Sequence, residues 1–187
     1  MITIRRALVD DVLFIAEGIY RAFLLDKEED EQLHTQWIEI LQDVCAQPNT
    51  HYSYTNTFIA ELNGSIAGMM IAVDGEHYHE QRDRMYPQLK SLFDVAFGVG
   101  WDDMEDEAQP GEFYIDSLSV AEPYRNQGVG TALIEHAKNV ASQLHIPTVT
   151  LAVEPMNTAQ QLYRKLGFSY QRTLTIFNEE YHLYATK

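Results

Sequence analysis

Apolar positions along the chain switch between a period of two and a period near 3.6, and the switches mark out the elements. Ile2 to Ala7 alternates as a short strand, and Asp10 then stands at the N-cap position ahead of Ile15, Ile19 and Phe23 at helical spacing. The acidic run Lys27 to Glu31 opens a second helical pattern through Leu33, Trp37, Ile40, Leu41 and Val44, which stops before Pro48. Thr57 to Asn63 and Ser65 to Val73 read as strands joined at Asn63-Gly64, the pair that most favours a type I′ hairpin. His77 to Phe97 has a helical pattern around Met85, Leu89, Leu92 and Phe93, and Trp101 to Pro110 is an acidic, loop-like stretch. Residues 76–110 therefore read as an insertion. Glu112 to Val120 returns to strand, Gly128 to Leu144 is an amphipathic helix, and Pro147 to Val153 is a β-branched strand. Asn157 to Leu166 is a helix ending at Gly167. Phe168 to Phe177 and Glu180 to Ala185 close the chain as an antiparallel pair around a turn at Asn178. The order β-α-α-β-β-insert-β-α-β-α-β-β predicts an α/β (α+β) protein with a mixed, mostly antiparallel central sheet flanked by helices. No repeat or Pro/Ser linker divides the 187 residues, so a single domain over 1–187 is expected.

Composition narrows the function. At 45% hydrophobic residues the chain can build a core, and 13 Lys and Arg against 28 Asp and Glu leave a formal charge of −15. Phosphate backbones and anionic lipid surfaces are repelled by such a molecule, which argues against nucleic-acid and membrane partners. The acidity is uneven: residues 1–111 hold seven basic and twenty-one acidic side chains (7 − 21 = −14), and residues 112–187 hold six and seven (6 − 7 = −1). One cysteine, Cys45, can form neither an internal disulfide nor a Cys-type metal site, which fits a reducing cytoplasm. The amino terminus lacks the apolar run of a signal peptide, and no stretch approaches the roughly 18 apolar residues of a membrane span.

The chemistry concentrates where the strand ending at Val120 runs into Ala-Glu-Pro-Tyr-Arg125-Asn126-Gln127-Gly128-Val129-Gly130-Thr131, with a helix starting inside the glycines. Backbone N–H groups at a helix start, backed by the macrodipole and unobstructed by β-carbons, form an anion cradle suited to a pyrophosphate. The segment has no Gly-Lys-Ser/Thr of a P-loop and lacks the first glycine of a dinucleotide fingerprint.

One strand and one helix later comes Asn157-x-Ala159-x-x-Leu162-Tyr163-x-x-Leu166-Gly167-Phe168. Together the two runs resemble the GNAT superfamily of acyl-CoA N-acyltransferases: the first its Arg/Gln-x-x-Gly-x-Gly/Ala coenzyme loop, the second its closing helix. The match is specific over residues 112–170, and the 76–110 insert departs from a minimal member. The resemblance implies an N-acetyltransferase that binds acetyl-CoA in a V-shaped opening between the strands ending at Val120 and near Val153. It places the pantetheine arm along Leu118, Ser119 and Val120 and the pyrophosphate on Arg125 to Thr131, by ligand β-augmentation. Arg125 and Gln127 add side-chain contacts or are solvated loop residues. A non-catalytic acyl-CoA-binding module is the alternative.

Acetyl transfer to an amine needs the amine deprotonated, the thioester oxygen stabilised and a proton given to the leaving thiolate. Tyr163 stands in the family's acid position, or packs between helix and sheet. Asn157 contacts the coenzyme or caps its helix, and both can hold. Asp116, expected on the same strand face as Leu118 and Val120, is the first candidate for a base acting through water or attracting the amine, against a structural role. Glu154 and Glu112 stand behind it. His77 and His79 mark an exposed helix start, His136 and His145 surface positions, and Cys45 a small buried residue, and no metal site is expected. The acceptor is read as a small-molecule or peptide amine. The acidic part of the chain either steers a cationic one, such as a polyamine, an aminoglycoside or a basic peptide terminus, or only maintains solubility. Apolar strands can support a homodimer.

Overall fold

The structure is a computed structural model that describes residues 1–23, 31–98 and 105–186. Its seven strands are β1 (Ile2–Arg6), β2 (Thr57–Leu62), β3 (Ser65–Asp74), β4 (Glu112–Val120), β5 (Thr148–Val153), β6 (Phe168–Ile176) and β7 (Glu179–Thr186). The helices are α1 (Val12–Ala22), α2 (Glu31–Ala46), α3 (Tyr78–Phe97), α4 (Val129–Gln143) and α5 (Gln160–Lys165). The strands form one sheet in the order β1-β2-β3-β4-β5-β7-β6, and every neighbouring pair is antiparallel except β4 with β5.

Alternation along the strands divides the core into two layers. Ile59, Met69 and Ile71 pack with the buried faces of α1, α2 and α3, including Ile15, Ile19, Trp37, Leu41, Leu89 and Phe93. Met70, Ala72, Phe113, Ile115 and Leu151 turn the other way onto Leu133, Ile134 and Ala137 of α4. Helix α1 rides close to β3 because Gly18 has no side chain there: a Cβ would lie 2.5 Å from the Met69 methyl carbon. The β2–β3 hairpin turns as its sequence dictates, with Asn63 at φ 54° and Gly64 at φ 85°, the positive values a type I′ turn requires.

The parallel contact is short. Strands β4 and β5 pair from Glu112 with Thr148 to Ile115 with Leu151, and no pairing follows. Strand β4 stays bonded on its other side to β3 as far as Val120 opposite Gly68, while β5 continues along β7 to Val153 opposite His182. From Asp116 onward, therefore, one edge of β4 is open, and the two strands form the limbs of the expected V. A bulge sits at its root, since Ile71 faces Ser117 and Ala72 faces Ile115, which leaves Asp116 without a partner on β3.

Local expectations change in two places. Asp10 does not cap α1: a turn over Val9–Asp11 precedes it, and Asp11 occupies the N-cap position. The Asp11 carboxylate is taken instead by Arg5 Nη1 and Nη2, at 2.7 and 3.0 Å, and by the Leu8 N–H at 2.7 Å. The last helix begins at Gln160 rather than Asn157. Residues 27–30 of the acidic run and 101–104 of the insert lie outside the described residues.

Candidate active site

The loop leaving β4 is shaped by its glycines. Gly128 is the N-cap of α4 at φ 85°, a left-handed conformation that a side chain would strain, and Asn126 before it is at φ 60°. Gly130 faces β4, where a Cβ would come 3.8 Å from Leu118 and 3.9 Å from Val120, so the helix start lies directly on the strand end. The Ala132 N–H is bonded to the Gly128 carbonyl at 3.0 Å. Helix geometry gives the N–H groups ahead of it no partner within the helix, which is the donor set an anion takes. Side chains brace this loop rather than reach beyond it: Arg125 Nε donates to the Val120 carbonyl (3.2 Å) and Gln127 Nε2 to the Pro123 carbonyl (2.8 Å). Gly68, opposite Val120, keeps room for the junction, since a Cβ there would meet the Ser119 carbonyl at 2.8 Å.

The V opens into a cavity of about 440 Å³. Leu118, Ser119, Arg125, Asn157 and Tyr163 line one side of it, together with Val153 and Glu154 at the end of β5. Tyr163 is held by α5, its ring 6.2 Å from Phe168, and burial pushes its phenol above the ordinary value. At neutral pH that proton stays on the oxygen. Asn157 is exposed, and its Oδ1 accepts from the Ala159 N–H at 2.9 Å, which closes the turn ahead of α5 rather than capping the helix, whose N-cap is Ala159. An open strand edge, a Gly-built helix start and a tyrosine between them fit an extended amide chain ending in a diphosphate.

Asp116 departs from its expected placement. It shares the face of Tyr114, toward α1–α3, because the bulge after it breaks the parity with Leu118 and Val120; its Oδ1 lies 3.0 Å from His51 Nε2 and its Oδ2 accepts from Ser117 Oγ at 2.6 Å. Leu118 and Val120 pack on the α4 side. His51 is buried against Tyr52 and Tyr78, and its Nδ1 has no hydrogen-bond partner among the described residues, which the tautomer donating through Nε2 to Asp116 leaves as a bare acceptor.

A second carboxylate joins it. Glu107 lines the same cavity, with Tyr114 Oη donating to its Oε2. Burial, and then the negative charge of Asp116, push its carboxyl up to about 7 from the usual 4.5, against the opposing pull of Tyr114, His51 and Arg82. The neighbouring residues are pinned from both sides. Glu105 exchanges backbone and side-chain bonds with Thr175 of β6 (3.3 and 3.0 Å), and Arg82 of α3 donates to Asp106 at 3.1 Å. The insert thus delivers Glu107 inward to the V. Tyr52, Tyr181, Phe23 and Phe177 complete this half of the cavity.

None of Glu107, His51, Tyr114 or Tyr181 stands out in the sequence: Glu107 is one acid in a run of acids, and His51 lies in an unpatterned loop. Glu112 and the remaining histidines are elsewhere. The Glu112 carboxylate accepts from the Gln109 N–H (3.0 Å), His79 pairs with Asp106 (3.4 Å), and His136 lies edge-on to Phe58. Cys45 is buried and its thiol is pushed far up by burial. Among the described residues no group of three or more His, Cys, Asp or Glu is placed to hold a metal ion, and no helix is long and apolar enough to cross a membrane.

The model of the acetyltransferase (GNAT) family matches residues 16–168. The chain belongs to this family. It is an acetyl-CoA-dependent acetyltransferase, and acetyl-CoA is its cosubstrate. A crystallised acetyltransferase shares 27% identity and superposes with a TM-score of 0.74, covering 99% of this chain and 98% of its own. An N-acetyltransferase from Staphylococcus aureus Mu50 shares the fold at 22% identity and a TM-score of 0.77, over 98% of this chain and 100% of its own. The PaiA N-acetyltransferase from Thermoplasma acidophilum, solved with coenzyme A, shares it at 13% identity and 0.58, over 100% and 99%. No curated protein sequence matches the chain.

Proposed function

We propose that this acetyltransferase acts on a primary amine, of a small molecule or a peptide terminus, by direct attack in a ternary complex. Residues 1–187 form one catalytic unit in which the 76–110 insert builds the acceptor side. The observation that carries this reading is Glu107, a carboxylate with a proton affinity near neutrality, in the same cavity as Tyr163 and the open edge of β4.

Bound acetyl-CoA supplies an acetyl thioester, whose C–S bond breaks as the N–C bond to the amine forms. The Leu118–Val120 edge orients the amide arm, and the N–H groups from Asn126 to Thr131 hold the diphosphate, with Arg125 and Asn157 beside them. Glu107 Oε1 or Oε2 takes a proton from the ammonium, for which a carboxylate near 7 is far better matched than an ordinary one. Asp116, held in place by its contacts with His51 and Ser117, is a positioning residue: it acts through Glu107 and adds to the attraction for a cation. Tyr163 gives its phenolic proton to the departing sulfur. The proton on Glu107 balances the one Tyr163 must regain through solvent, so no further reactant is consumed.

The test is coenzyme A release with a panel of amines. Glu107→Gln should lower kcat/KM about 10²-fold or more, the usual share of a general base, while acetyl-CoA binding by calorimetry persists. Binding without turnover for every amine would instead mark a non-catalytic module.

A further inference from the structure

The acceptor half of the cavity has a chemistry beyond its two carboxylates. Past Glu107 and Asp116 its wall is apolar and aromatic, made by Phe23 at the end of α1, Tyr52, and Ile176 and Phe177 at the β6–β7 turn. Phe177 is the first residue of that turn at φ 52°, with Asn178 following at φ 61°. Left-handed backbone is the place for Gly or Asn, and a bulky side chain there is strained. The strain is held by packing: Phe177 stacks on Phe97 at 4.1 Å and 20°, lies 5.3 Å from Phe93, and meets Phe23 edge-on at 6.0 Å. A sequence that only needed a turn would not put phenylalanine at this point, and strained residues of this kind concentrate where a ligand is gripped.

A second observation lies beside the first. Arg21, in the last turn of α1, also lines the cavity, and its Nε is buried without a hydrogen-bond partner among the described residues. Its Nη1 has only a long contact of 3.5 Å with Glu17. A buried guanidinium N–H left unpaired costs stability unless a ligand oxygen completes it, and carboxylate is the matching partner.

We propose that the acceptor is an aromatic α-amino acid or a close analogue. Its amine meets Glu107, its ring lies against Phe177 and Phe23, and its carboxylate meets Arg21. The proposal rests on the amine-acetylating reading above and narrows it. Glu154 at the end of β5 gives a polyamine one further acidic partner, but the Phe23 and Phe177 wall offers its other ammonium groups none.

Coenzyme A release on the native protein tests this with phenylalanine, phenethylamine, alanine and spermidine. Phenylalanine should exceed alanine and spermidine in kcat/KM by about tenfold or more, the discrimination an apolar pocket affords, and should also exceed phenethylamine. Phe177→Asn suits the turn but removes the ring. It should raise KM for phenylalanine with a smaller change in kcat and compress the phenylalanine-to-alanine ratio by about tenfold. Arg21→Gln should collapse the phenylalanine-to-phenethylamine ratio. Alanine or spermidine matching phenylalanine on the native protein overturns the proposal and leaves amine acetylation standing. Turnover of no amine, with coenzyme still bound, overturns that reading and this proposal with it.

Discussion

Asp116→Asn separates a positioning role from a catalytic one, because the two predict opposite kinds of change. The groups facing Glu107 are Asp116 and Tyr114 on β4, His51 and Tyr52 after α2, Tyr78 and Arg82 on α3, and Tyr181 on β7. Of these, only Asp116 pushes the Glu107 carboxyl up by its own charge, whereas Tyr114, His51 and Arg82 pull it down, and burial outweighs Asp116. The proton-free carboxylate is the base, so kcat/KM should rise with pH through an acidic limb near 7 in the native protein. Asparagine keeps the shape and still accepts from His51 Nε2 but removes the charge. The limb should therefore move down by about one pH unit, equivalent to ~1.4 kcal/mol of proton affinity, and stay above the ordinary glutamate value because burial remains. The assay is coenzyme A release from pH 5 to pH 9 under kcat/KM conditions. An unmoved limb, an upward shift, or loss of activity at every pH would refute the assignment of Asp116 as a group acting through Glu107.

Two further substitutions address the coenzyme half. Tyr163→Phe should slow thiol release by up to about 10²-fold, a general acid's share, while the calorimetric affinity for acetyl-CoA stays within about threefold; weaker binding with intact turnover would make Tyr163 a packing residue instead. Gly128→Ala forces a β-carbon into a left-handed N-cap. It should cost about 1–2 kcal/mol, or roughly 2–8 °C in Tm for a chain of this size, and weaken acetyl-CoA binding, both read by thermal melts with and without the ligand.

The sheet, the hairpin at Asn63-Gly64, the β4 boundaries and the coenzyme loop were legible because each is written locally: alternation, a turn pair, glycines ahead of an amphipathic helix. The run holding Tyr163 and Asn157 was legible through its spacing, and both residues line the cavity. Glu107 was not, because its character comes from partners far along the chain. Arg82, Thr175 and Arg172 fix its neighbours, while Tyr114 and Asp116 set its proton affinity. Within the run of acids it has the composition of a solvated loop, and only tertiary contact distinguishes it.

Asp116 shows why even a correctly placed strand can mislead about chemistry. Strict alternation puts residues 116, 118 and 120 on one face, and the single extra residue between the Ile71 and Ala72 pairings cancels that parity. The same bulge lies where β4 parts from β5, so one irregularity accomplishes two things. It sets the root of the opening in which the free edge of β4 is exposed, and it turns Leu118 and Val120 to the α4 face while Asp116 keeps the face of Tyr114, toward Glu107. Without it, Leu118 and Val120 would share the face of Tyr114 and Asp116 and would no longer meet α4. Glu107 and the free edge of β4 are thus joined through a few residues of one strand, which is how an acidic segment far from the glycine loop in sequence comes to line the same cavity.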